Sequence, residues 1–225
     1  MTTKDMLYAC DVKVKNITKS EEIDIKTTDW LVFLNQAQEE TFRTIIPLNA
    51  STETQFDLSP MSRNNLAALI KDKQYVPAES KSYVNNKMTG STYTFEYPSD
   101  LKYIDYAEVV LTKNGKDYIS RVKDTEPRYY FQNRKNPFKK PYSELVWRRD
   151  FGQNTKGYNE IVIPEGFSLK YFTLRYLIEL TCMSLETDSL LAESLHWDIV
   201  NKAVDLCIDS HQKNLYLTNL AQNNQ

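Results

Sequence analysis

Residues 160–211 constrain the fold of this chain more than any other stretch. They read EIVIPEGFSLKYFTLRYLIEL, then a short polar break, then LLAESLHWDIVNKAVDLCIDSH. Branched and aromatic residues on both sides of Pro164-Glu165-Gly166 predict two strands, 161–163 and 169–178, around a tight turn. Leu191, Leu195, Ile199, Ala203 and Leu206 then recur at helical spacing, flanked by Val200, Val204 and Cys207. They predict one long amphipathic helix. Its outer side is acidic, with Glu193, Asp198, Asp205 and Asp209 against Lys202, and its apolar face is expected to dock on the sheet. A strand pair feeding such a helix is a packing and assembly element, and nothing in it has the pattern of a catalytic group.

The N-terminal part predicts helices. Met6, Cys10, Val14 and Ile17 share one face of a helix over 2–17, and a polar connector, 18–27, follows. Thr28 and Asp29 offer N-cap oxygens to a second helix. Its wide apolar stripe runs through Trp30, Leu31, Phe33, Leu34, Ala37, Gln38, Thr41, Phe42 and Ile45, as for a helix packed on two neighbours. Pro47 is its stop signal. After a brief extended piece at 56–58, Ser59-Pro60 reads as N-cap and first helical position. The helix it starts is expected to carry Met61, Leu66, Leu69 and Ile70.

From Gln74 the pattern turns to strands. They are expected at 75–77, 92–97, 104–112, 118–122 and 145–147. Polar loops are expected at 78–91 and 151–158, a turn at 98–101, a helical turn at 126–133 and a proline-containing loop at 135–142. Lys113-Asn114-Gly115-Lys116 is a hairpin signal, because Asn-Gly accepts positive φ at both central positions. Helices, then strands, then a helix make the chain α+β. The expected architecture has N-terminal helices, an antiparallel β-rich middle and a long C-terminal helix packed on the helical core. The 225 residues are expected to form one subunit, helical over 1–73 and 185–215 and β-rich over 74–180.

Motifs for chemistry are missing. There is no GxxxxGK[ST], GxGxxG, HExxH or GxSxG, and five glycines supply few phosphate loops. Glu39 and Glu40 are adjacent on a helix and point apart. His196 reads as a surface or groove residue. Cys10, Cys182 and Cys207 form no CxxC and no zinc spacing with His196 or His211. No cofactor, metal or disulfide framework is expected. The N-terminus lacks a basic head and apolar run, and no apolar stretch reaches 18 residues, so neither a signal peptide nor a membrane span is expected.

The net charge of −2 gives no global case for nucleic acid as partner. One local cluster does. Arg128, Arg134, Lys135, Lys139, Lys140, Arg148 and Arg149 interleave with Tyr129, Tyr130, Phe131, Phe138, Tyr142 and Trp147, opposed only by Glu144 and Asp150. Cations with aromatics can track a phosphate backbone and stack bases, or rim a protein interface. Arg134, Lys135, Lys139, Lys140, Arg148 and Arg149 are the candidate partner or DNA contacts. Set against the acidic helix, this segment suits head-to-tail contacts in a ring.

Several stretches carry a resemblance. They are Trp30-Leu31-Val32-Phe33-Leu34-Asn35-Gln36-Ala37-Gln38, the helix after Asp57-Leu58, and Phe95-Glu96-Tyr97-Pro98-Ser99-Asp100-Leu101. Glu160-Ile161-Val162-Ile163-Pro164-Glu165-Gly166, Arg175-Tyr176-Leu177-Ile178 and Ala192-Glu193-Ser194-Leu195-His196-Trp197-Asp198-Ile199-Val200 complete it. Over most of its length the chain is similar to the ring-forming head–tail connector, or adaptor, proteins of crAss-like tailed bacteriophages. The resemblance implies a non-enzymatic structural virion protein, made in the host cytoplasm and placed at the head–tail junction. Such proteins stack as a ring, usually twelve-fold, beneath the portal and link it to the tail while DNA passes through the lumen. It implies contacts with portal protein and with other ring or tail proteins, and carries over no catalytic residue. Two other readings of the residues are a nucleic-acid-binding module using 128–149 and a small enzyme with a dispersed carboxylate site.

Overall fold

A computed structural model describes residues 1–17, 25–46, 59–79, 92–125, 136, 140–150 and 157–223, with side chains of the last helix as far as His211. The chain divides into two compact units. Met1–Asn49, Leu58–Leu69 and Leu180–Gln225 form a helical unit, and Ala50–Asp57 and Ile70–Glu179 form a sheet unit. The class is α+β, as expected.

The helical unit contains α1 (Thr3–Ile17), α2 (Thr27–Ile45), α3 (Pro60–Asn65) and α4 (His196–Asn223). A reciprocal capping box starts α1. The Thr2 amide donates to Asp5 Oδ2 at 2.9 Å and the Asp5 amide to Thr2 Oγ1 at 3.2 Å. Met6, Cys10 and Val14 are buried as predicted, whereas Ile17, at the helix end, is exposed. In α2 the N-cap is Lys26, so Thr28 and Asp29 lie inside the first turn instead of capping it. Asp29 still complements the positive end of the helix dipole there. The face of α2 that carries Trp30, Leu34, Ala37, Gln38, Thr41 and Phe42 is buried.

The main neighbours of α4 are α1 and α2. Docking on the sheet is thus corrected to docking on helices, and the C-terminal helix packs on the helical core. Its helical stretch begins at His196, after a 3-10 turn, Glu193–Leu195. Polar groups on α2 hold the incoming chain. Asn35 donates to the Met183 carbonyl at 3.1 Å and accepts from the Met183 amide at 2.7 Å, while Gln38 donates to the Thr181 carbonyl at 3.1 Å. Gln38 therefore belongs on the buried face for its hydrogen bond.

Ser59 caps α3 as predicted, accepting from the Ser62 amide at 3.1 Å, with Pro60 in the first helical turn. The helix then stops at Asn65, earlier than expected. Asn64 and Asn65 are poor helix interiors because their side chains compete for backbone groups. After a 3-10 turn, Ala67–Leu69, the chain enters a strand, β1 (Ile70–Tyr75), so Ile70 lies in a strand in place of the expected helix.

The sheet unit adds β2 (Thr92–Glu96), β3 (Leu101–Lys113), β4 (Lys116–Asp124), β5 (Leu145–Asp150), β6 (Tyr158–Val162) and β7 (Ser168–Ile178). Their order is β1-β7-β3-β4-β5-β6-β2. All pairs are antiparallel except β4 with β5, which is parallel. The β3–β4 hairpin turns at Asn114 (φ 52°) and Gly115 (φ 76°), both in the left-handed region as predicted. The strands around Pro164-Glu165-Gly166 are present and Gly166 has φ 78°, but they do not pair with each other. Length decides this: the eleven residues of β7 match the long β3, whereas five-residue β6 fits between β5 and β2.

The sheet curls until its two end strands touch through side chains. Tyr75 of β1 lies 5.0 Å from the Phe95 ring of β2, and both lie near Phe172 of β7, at 5.6 and 5.7 Å. The Tyr75 hydroxyl donates to the Glu96 carbonyl at 2.7 Å. The concave core continues through Ile104, Val109, Leu111, Val122, Val146, Ile161 and Leu174. The connector at 18–24, the stop at Pro47, the extended piece at 56–58, the loop at 80–91, the helical turn at 126–133 and residues 151–156 lie outside the described residues.

Candidate assembly interface

The basic aromatic segment divides into parts. Arg148 and Arg149 sit side by side in β5, so strand periodicity sends them to opposite faces of the sheet. Each meets a carboxylate that is its register partner on a neighbouring strand. Arg148 faces Asp124 of β4, donating from Nε to Oδ1 at 2.6 Å and from the terminal nitrogen to Oδ2 at 2.8 Å. Arg149 faces Glu160 of β6 at 2.8 Å. The Arg148 and Glu160 side chains are fully buried and Arg149 nearly so. Burial raises the nearby Tyr97 hydroxyl above the ordinary tyrosine range, with Arg148 pulling the other way. Both guanidinium groups thus lie inside the sheet unit. Lys140 and Tyr142 are exposed, and Arg134, Lys135 and Lys139 lie outside the described residues.

The acidic outer side of α4 is present. At 100° per residue, Trp197, Asn201, Asp205, Asp198 and Asp209 fall within about 120° of one another. All five are exposed. Glu193 lies in the preceding 3-10 turn. Lys13 of α1 sits over the Trp197 ring, 5.3 Å from its centroid, and its Nζ contacts Asn201. Asp198, Asp205 and Asp209 make no ion pair among the described residues.

A second exposed row was not singled out by sequence reasoning. Alternation along β4 turns Ile119, Arg121 and Lys123 to solvent, and Ser120 and Val122 inward. Arg121 and Lys123 make no ion pair among the described residues, and Ile119 is 69% exposed. Period-two counting outward from the Asn-Gly turn carries the signal that identifies this row. The two units also differ in charge. The helical unit has nine Lys and Arg against fourteen Asp and Glu, a net −5; the sheet unit has nineteen against sixteen, a net +3.

His196 corrects its surface assignment. It is 5% exposed, with Nε2 3.1 Å from the Leu191 carbonyl, and so ties the start of α4 to the preceding turn. Cys10 and Cys207 are buried, and burial pushes the Cys10 thiol up to about 12, while Cys182 is exposed. Among the described residues, no group of three or more His, Cys, Asp or Glu converges as a metal site, and no helix is long and apolar enough to cross a membrane.

No curated protein matches the chain. Residues 1–219 match the family model described as phage tail ring protein 3/4, a crAss-like family. The chain therefore belongs to the phage tail ring protein 3/4 family, a structural component of the phage tail that assembles as a ring.

Proposed function

We propose that this protein is a subunit of the head–tail connector, forming a ring, twelve-fold in the usual stoichiometry, that lies between portal and tail and lets DNA pass. The observation that carries the reading is the family match over nearly the whole chain. The fold is consistent with it: two units of opposite charge on one chain permit a heterologous contact whose rotation closes. One polypeptide of 225 residues is one subunit, acting through assembly and not through turnover. Portal protein and neighbouring ring or tail proteins are its partners at the head–tail junction of the virion.

Within the basic segment, Arg134, Lys135, Lys139 and Lys140 supply partner or DNA contacts. Arg148 and Arg149 are engaged in buried pairs with Asp124 and Glu160 within the sheet unit. Cryo-EM of the virion tests the placement. Density for this fold in a closed ring between portal and tail is the expected result; density at the distal tail overturns it. Lys139→Ala with Lys140→Ala is expected to weaken salt-sensitive DNA binding or portal binding, and unchanged binding of both removes these lysines from the account.

A further inference from the structure

We infer that the outward row of β4, Ile119, Arg121 and Lys123, docks on the outward strip of α4, Trp197, Asp198 and Asp205, of a second copy of this chain. This rests on the ring reading and names the surfaces that close it. Four observations carry it. First, each patch is an exposed apolar side chain beside two charges of like sign, positive on β4, where Glu108 is the register partner of Arg121, and negative on α4, where Lys13 covers part of the Trp197 ring. Second, none of these charges is neutralised by an ion pair among the described residues, unlike Asp117 with Lys170 or Asp72 with Arg175 on the same sheet. Third, the patches belong to units whose net charges are −5 and +3, so the wider fields favour the same pairing.

Fourth, the spacings are compatible. Arg121 and Lys123 are about 7 Å apart along a strand. Asp198 and Asp205 are two helical turns apart, about 10.5 Å. The long Arg and Lys side chains span the difference. The exposed Trp197 and Ile119 then cover each other at one end of the row. A contact between two different surfaces is heterologous, the type that generates rings.

The test uses charge exchange in the full chain. Variant one is Arg121→Glu with Lys123→Glu, variant two is Asp198→Lys with Asp205→Lys, and variant three carries all four changes. Assembly is read by native mass spectrometry and negative-stain microscopy, with circular dichroism confirming folding. The expected result is loss of the ring species in variants one and two and its return in variant three, since the exchanged charges again oppose one another. Rings that persist in variants one and two, or fail to return in variant three, overturn this interface and leave the ring reading standing. A wild-type chain that forms no ring alone or with tail partners overturns both. If variant one keeps its ring and loses salt-sensitive binding to duplex DNA, the β4 row serves nucleic acid and the interface is overturned.

Discussion

The two units bury polar groups in different ways. In the helical unit, uncharged amides reach backbone: Asn35 takes both polar groups of Met183, and Gln38 takes the Thr181 carbonyl. The ion pairs within its helices, Lys15 with Asp11 and Arg43 with Glu39, lie at the surface. In the sheet unit, full charges go inside, with Arg148 on Asp124 and Arg149 on Glu160. A helix satisfies its own backbone, so side-chain amides are free to hold an irregular segment against it. A strand interior exposes both its faces to neighbours. In β5 both faces are buried, so adjacent arginines each need a carboxylate at the matching register position.

The largest expected effect breaks the charged side of this comparison. Arg149→Met leaves Glu160 buried without its partner and is expected to cost about 3–5 kcal/mol by chemical denaturation. Adding Glu160→Leu is expected to restore most of that, because removing both charges also removes the desolvation cost. No recovery in the double variant contradicts the pairing. On the amide side, Asn35→Ala strands the amide and carbonyl of buried Met183 and is expected to cost about 2 kcal/mol by the same measurement.

Smaller changes sharpen the contrast. Gly166→Ala is expected to cost about 1 kcal/mol, set by backbone strain at φ 78°, since a Cβ there meets only the Lys113 side chain at 3.8 Å. Thermal unfolding of the variant reads it. The exposed Asp72–Arg175 pair is worth well under about 1 kcal/mol. The Arg175 guanidinium beside Asp72 holds its carboxyl below the usual carboxylate range. A depressed folded value contributes stability above the ordinary carboxylate value of 3.8, lost as pH falls through the folded value. The stability gap between wild type and Asp72→Asn is therefore expected to close on acidification from neutral pH, followed by thermal unfolding across pH.

What the sequence disclosed follows from range. Local signals held: the stripe of α2, the cap at Ser59, the turn at Asn114-Gly115 and the apolar face of α4 each rest on neighbours within a few residues. Long-range pairing did not show. The β1 stretch, Ile70-Lys71-Asp72-Lys73-Gln74-Tyr75, has no apolar alternation, because as an end strand it is charged outward and defined by its ladder to β7. β6 and β7 looked like a pair because a turn joins them, yet strand length assigned each to other partners. The arginines at 148 and 149 read as surface cations because Asp124 and Glu160 become their neighbours only through register. The β4 row was legible in principle, from alternation beyond the hairpin.

Negative-stain microscopy of the purified protein, alone and mixed with portal and tail proteins, tests most sharply whether this chain is a ring subunit. Closed rings of uniform diameter are the expected result. A protein that stays strictly monomeric in every mixture contradicts it.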